Sequence, residues 1–181
     1  MREKRLLIIL IFIILVLFFR TIYNQTLSTE EYISSELHDH YAVLTHIVAD
    51  IGKHSNHETD NIDEFYIRRL LEISRNFEFV LNRYENAHSK SKETKENDVR
   101  EITSLINNYY NLFVDSVSAI NETDYDTLNM IKNDLEKWIL WIEENYISTD
   151  KDGYYVYKMY AYEDMVESGL IDELDLADFQ R

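Results

Sequence analysis

Fourteen apolar residues in succession, Leu6 to Phe19, follow the basic start MREKR. From Ser28 onward the pattern changes to apolar positions three and four apart, at Ile33, Leu37, Tyr41, Leu44, Val48 and Ile51. That spacing predicts an amphipathic helix, and Ser28 with Glu31 has the spacing of a capping box at its start. Gly52 and the polar stretch KHSNHETDN end it. A second helix is expected from an N-cap at Asp60, with Phe65, Leu70, Ile73, Phe77, Val80, Leu81 and Tyr84 on its buried face. The stretch AHSKSKETKEND, without an apolar residue between Ala87 and Val99, reads as a linker. Val99, Ile102, Leu105, Ile106, Tyr109, Leu112, Phe113, Val117 and Ile120 mark a third helix. A fourth is expected from about Asp124 to Tyr146, with Leu128, Ile131, Leu135, Trp138, Ile139 and Ile142 inside.

Four such helices joined by short polar connections predict an antiparallel, up-down-up-down four-helix bundle. No unit repeats at a fixed period, which argues against a solenoid. What remains is a tail rich first in tyrosine, with Tyr154, Tyr155, Tyr157, Tyr160 and Tyr162, and then in acidic residues. Alternation would make the tyrosines a strand. Tyr155, Met159, Tyr162 and Val166 also fit a helical face, and with no second strand candidate to pair, a short helical extension is expected.

The apolar run itself admits three readings: a buried core helix, a cleaved signal, or a membrane anchor. It lacks the polar stripe of a core helix in a small domain. No small-residue cleavage pattern follows it, since the next residues are Arg20, Thr21, Ile22, Tyr23, Asn24 and Gln25. An anchor over residues 6–23 is therefore expected, with Arg20 reaching the headgroups and Tyr23 at the interface. Arg2, Lys4 and Arg5 precede the run, so the positive-inside rule places the N-terminus in the cytoplasm and the domain outside the cell. The expected architecture is then all-α: a single transmembrane helix (1–23), a helical bundle (24–147) and a C-terminal extension (148–181).

Charge narrows the partners. Residues 1–23 hold four Lys/Arg and one Glu, so the other 158 residues carry 14 Lys/Arg and 33 Asp/Glu, a net charge of −19. Nucleic acid is excluded as a partner by that balance, because its affinity rests on basic side chains neutralising phosphates. A basic protein, a cation or plain solubility suits it. Cysteine is absent, so no disulfide staples the chain; with no Pro its composition suggests an AT-rich bacterial gene, and in combination with the expected anchor it looks like a Gram-positive surface protein.

Candidate chemistry is sparse. Asp50, His54 and His57 fall at helical spacing and are the best metal candidates, but Gly52 and a polar loop interrupt them, and solvated histidines are the simpler reading. Ser148-Thr-Asp150-Lys-Asp152-Gly153 matches positions 3, 5 and 6 of a calcium loop through Asp150, Asp152 and Gly153. Position 12 is Met159, so a turn that ends the fourth helix is the better account. No nucleophile elbow, zinc-protease helix or phosphate loop is present, and neither an enzyme nor a cofactor is expected. Tyr154, Tyr155, Tyr157, Tyr160 and Tyr162 have the composition of a protein-binding surface, or else they close the open end of the bundle. Anchor and acidic bundle together are similar to the ligand-sensing bundles of bacterial transmembrane receptors, without their second span. Two functions follow as expectations: a membrane-anchored extracellular interaction protein of inhibitor, immunity or accessory type, or an extracellular bundle sensing a cation or small ligand through a membrane partner.

Overall fold

The structure, a computed structural model, describes the backbone of residues 2–55, 64–91, 95–118 and 124–175. Side chains are described for residues 14–22, 25–26, 28–53, 68–91, 95–117 and 124–175. The element order is α1 (Arg2–Ser55), α2 (Glu64–Lys90), α3 (Glu96–Ser118), α4 (Tyr125–Tyr146), β1 (Ile147–Thr149), β2 (Tyr155–Tyr157), α5 (Tyr162–Glu167) and α6 (Leu170–Glu173). The chain divides into two compact units, Met1–Tyr32 and Ile33–Arg181.

In the first unit the expected anchor is corrected. Among the described residues, no helix is long and apolar enough to cross a membrane. The apolar run has fourteen residues. As a helix that is about 21 Å, against a hydrocarbon core of about 30 Å. It then meets Arg20, and α1 continues through polar Thr21, Gln25, Thr26, Ser28 and Thr29. Thr21, Thr26 and Thr29 satisfy their hydroxyls on the carbonyls of Leu17, Ile22 and Gln25, one turn back. Arg2, Lys4, Arg5, Tyr23 and the run up to Ile13 have side chains outside the described residues. With the anchor go the lipid partner at residues 6–23, the single-pass topology with a cytoplasmic N-terminus and an extracellular domain, and both functions that depended on them. Ser28 is likewise no N-cap, since α1 passes through it unbroken.

The second unit is a helical bundle. Glu36 meets Arg83 and His40 meets Val80, so α1 and α2 run in opposite senses. Tyr41 meets Glu143 and Gly52 lies against the Lys132 stem, so α1 and α4 are also antiparallel. Leu37, Leu44, Ile47, Ile73, Phe77, Ile102, Phe113, Leu128, Ile131 and Trp138 fill the shared core. The α4 start is capped by Asp124, whose carboxylate accepts from Thr127 N at 3.0 Å and Thr127 Oγ1 at 2.6 Å. Those bonds hold its pKa below the ordinary carboxylate value.

The tail departs from the expected helix. Ile147–Thr149 and Tyr155–Tyr157 form an antiparallel hairpin, with Ile147 opposite Tyr157, Ser148 opposite Val156 and Thr149 opposite Tyr155. The missing strand partner is the short stretch Ile147–Thr149 directly after α4, with β-branched residues at both ends, and aromatic residues pair well across a pleated ribbon. Gly153 closes the turn at φ 89°, a conformation that costs a residue with a Cβ. Beyond β2 the chain crosses back over the bundle and buries Met159, Tyr160, Met165, Leu170 and Leu174. Gly169, at φ 80°, lets α5 turn into α6.

Candidate functional site

Tyr160 is the tail's main fixture. Its ring lies among Tyr84 (5.2 Å between centroids), Trp141 (5.5 Å), Tyr146 (5.5 Å), His40 (6.1 Å) and Trp138 (6.4 Å). The Tyr84 hydroxyl donates to Tyr160 O at 2.7 Å. His40 is buried, with Nδ1 2.9 Å from Val80 O and Nε2 2.7 Å from the Tyr160 hydroxyl. A carbonyl can only accept, so Nδ1 carries the proton and Nε2 accepts from Tyr160. Burial pushes the His40 pKa down to about 4, against the raising effect of the Val80 bond. Further along, Asp134 is fully buried and accepts from Tyr109 Oη and Asp175 N, both at 3.0 Å, and from Lys137 Nζ at 3.4 Å. Lys137 also donates to Glu173 O at 2.5 Å. These contacts are structural: they fasten the tail to α3 and α4.

Where the hairpin leaves α4, a cleft of about 400 Å³ opens, lined by Tyr41, Glu143, Ile147, Ser148, Thr149, Tyr155 and Tyr157. Its walls come from α1, α4 and both strands of the hairpin, for local reasons. Helical spacing puts Tyr41 on the α1 face that carries Leu37 and Leu44 toward the core. Glu143 follows Ile142 at the outer end of α4. The pleat turns Ile147, Thr149, Tyr155 and Tyr157 to one side of the ribbon, because cross-strand partners share a face. The Tyr41 and Tyr157 rings stand 5.7 Å apart at 45°. His38 abuts the Tyr157 ring edge-on at 5.1 Å, and Ser34 Oγ accepts from Tyr157 N at 3.0 Å, so α1 fixes that ring from behind. The Tyr41 hydroxyl donates to Glu143 Oε1, and desolvation first, then that bond and charge, pushes its pKa up to about 12. At neutral pH it is therefore a fixed donor. Among the described residues, no lysine or arginine lines the cleft.

The five tyrosines singled out in the sequence part company. Tyr157 and Tyr160 are 8% and 2% exposed and belong to the core, while Tyr154 and Tyr155 are 72% and 71% exposed. Tyr162 is half-buried at the start of α5. Much of the ring area expected to meet a protein is thus spent on packing, and the expected basic protein partner finds no support. The Asp150 carboxylate accepts from Asp152 N at 2.9 Å and Tyr154 N at 2.8 Å, as the brace of a turn, with Asp152 supplying backbone. Asp50 pairs with Lys53 at 3.0 Å. The side chains of His54 and His57 lie outside the described residues. Among the described residues, no group of three or more His, Asp or Glu could hold a metal ion.

Sequence reading missed Tyr41, Glu143 and the Ser148–Thr149 edge. Tyr41 looked like one more core position, and Glu143 one acid among many. The usable signal was the β-branched Ile147 and Thr149 followed by an Asp-Gly turn and an aromatic alternation, which is a hairpin pattern. No family model, no curated protein and no solved structure matches the chain.

Proposed function

We propose that this chain is a non-catalytic binding domain whose ligand site is the cleft between α1, α4 and the hairpin. One observation carries the reading: a concavity of about 400 Å³ lined by three tyrosines and an isoleucine, with three polar side chains, Glu143, Ser148 and Thr149, among them. Small-molecule sites have volumes of roughly 300 to 1,000 Å³ and that kind of lining. Binding without turnover is supported by how the polar groups are committed. Tyr41 is held protonated and bound to Glu143, and among the described residues of the cleft wall no histidine or lysine stands beside the Ser148 and Thr149 hydroxyls to activate them.

The test is a fragment screen by thermal shift on the full chain and on Thr149→Trp, which fills the cleft from the exposed strand. Ligands that raise the melting temperature of the wild type and lose their effect on the variant are the expected result. Ligands that stabilise both equally would place the site elsewhere and overturn the reading.

A further inference from the structure

We infer that the cleft takes an organic ammonium cation, its charged head seated against the Tyr41, Tyr155 and Tyr157 side chains that line it, beside the Glu143 carboxylate. This rests on the cleft being the ligand site. Aromatic faces carry the negative lobe of the ring quadrupole, so rings that converge on one volume attract a cation there. Tyr41 and Tyr157 make a corner, 5.7 Å between centroids at 45°, and Tyr155 adds a third ring from the same face of the ribbon.

Glu143 supplies the full charge. One of its oxygens accepts from Tyr41, which fixes the carboxylate at the cleft wall. None of the described ion pairs involves it. Among the described residues no cation of the protein's own pairs with this exposed carboxylate, and a ligand can. An anion would face the carboxylate and a strongly acidic domain, with no lysine or arginine among the described residues of the wall. A neutral apolar ligand would desolvate Glu143 without compensation. A methylated ammonium suits the cleft better than an inorganic ion, because the aromatic walls reward apolar surface around the charge, and Ser148 and Thr149 can take a hydroxyl on the ligand's tail.

The experiment is calorimetry of the full chain with choline and with its neutral carbon isostere, in which a tert-butyl group replaces the trimethylammonium. Amide shifts of Ser148, Thr149 and Tyr155 report whether the cleft is occupied. Choline is expected to bind there at least about tenfold more tightly than the isostere. Tyr155→Ala, at an exposed position, should weaken choline about fivefold, and Glu143→Gln should shrink its advantage over the isostere. Equal affinity of the two probes, or an isostere that shifts the cleft amides while choline does not, overturns the cation and leaves the cleft as the site. Shifts away from the cleft with both probes overturn the cleft as well.

Discussion

Acid should loosen this protein through one imidazole. His40 sits among the rings of Tyr84, Trp138 and Tyr160, with Val80 O and the Tyr160 hydroxyl taking up both its nitrogens. A second proton would have to enter at Nε2, where the Tyr160 hydroxyl already points its own, and the resulting charge would lie among aromatic rings and away from water. The pKa is accordingly pushed from the ordinary 6.5 down to about 4. The sign follows from proton counting. Between those values the unfolded chain has bound the proton and the folded chain has not, so stability falls as pH falls through the window. The difference of about 2.5, at about 1.4 kcal/mol for each pH unit, makes the loss about 3 kcal/mol by pH 4. That is a large share of a typical stability of roughly 5 to 15 kcal/mol. Urea unfolding of the wild type and of His40→Gln across this range is the assay, because the carboxylates titrate in both and cancel in the comparison. The variant starts less stable, and its pH dependence should be shallower by that amount. Parallel pH profiles, or an imidazole resonance of His40 that titrates near 6.5, would refute the reasoning.

Three other outcomes follow from the same structure. Burial pushes the hydroxyls of Tyr84, Tyr109 and Tyr160 well above their ordinary pKa, so above pH 10 the unfolded state alone loses these protons. Stability should fall there by about 4 kcal/mol per pH unit for the three together, read as urea midpoints against phenolate absorbance. Asp134→Ala orphans Tyr109 Oη and Asp175 N and should cost about 3 kcal/mol, with faster proteolysis around α6; Asp134→Asn, which keeps an acceptor, should cost less. Gly153→Ala meets no neighbour but must hold φ 89°, and should cost about 1 kcal/mol in a melting experiment, whereas the same change at Gly52 presses on the Lys132 stem.

The helices were legible in the sequence because their stripes are long: α2, α3 and α4 lie where the three- and four-residue spacing put them, and Leu37, Leu44, Ile73, Phe77, Ile102, Phe113, Leu128 and Trp138 are buried. Periodicity gave no stop signal inside α1. Ser28 and Glu31 have a capping-box spacing, yet a helix already running through them needs no cap. The hairpin was harder still. Three-residue strands carry too short a pattern to outweigh a helical one, and their pairing is a tertiary event set by the Asp150 turn and by Tyr157 and Tyr160 reaching the core. The cleft inherits that difficulty, since Tyr41 and Glu143 are separated by about a hundred residues and converge only once α1 and α4 pack antiparallel.

The measurement that bears most directly on the account is a set of intermolecular nuclear Overhauser contacts between the methyl protons of bound choline and the full-length chain. The cleft predicts contacts to the ring protons of Tyr41, Tyr155 and Tyr157 and silence from the α2 and α3 faces. Contacts that appear on other side chains, with none to those three rings, would contradict it.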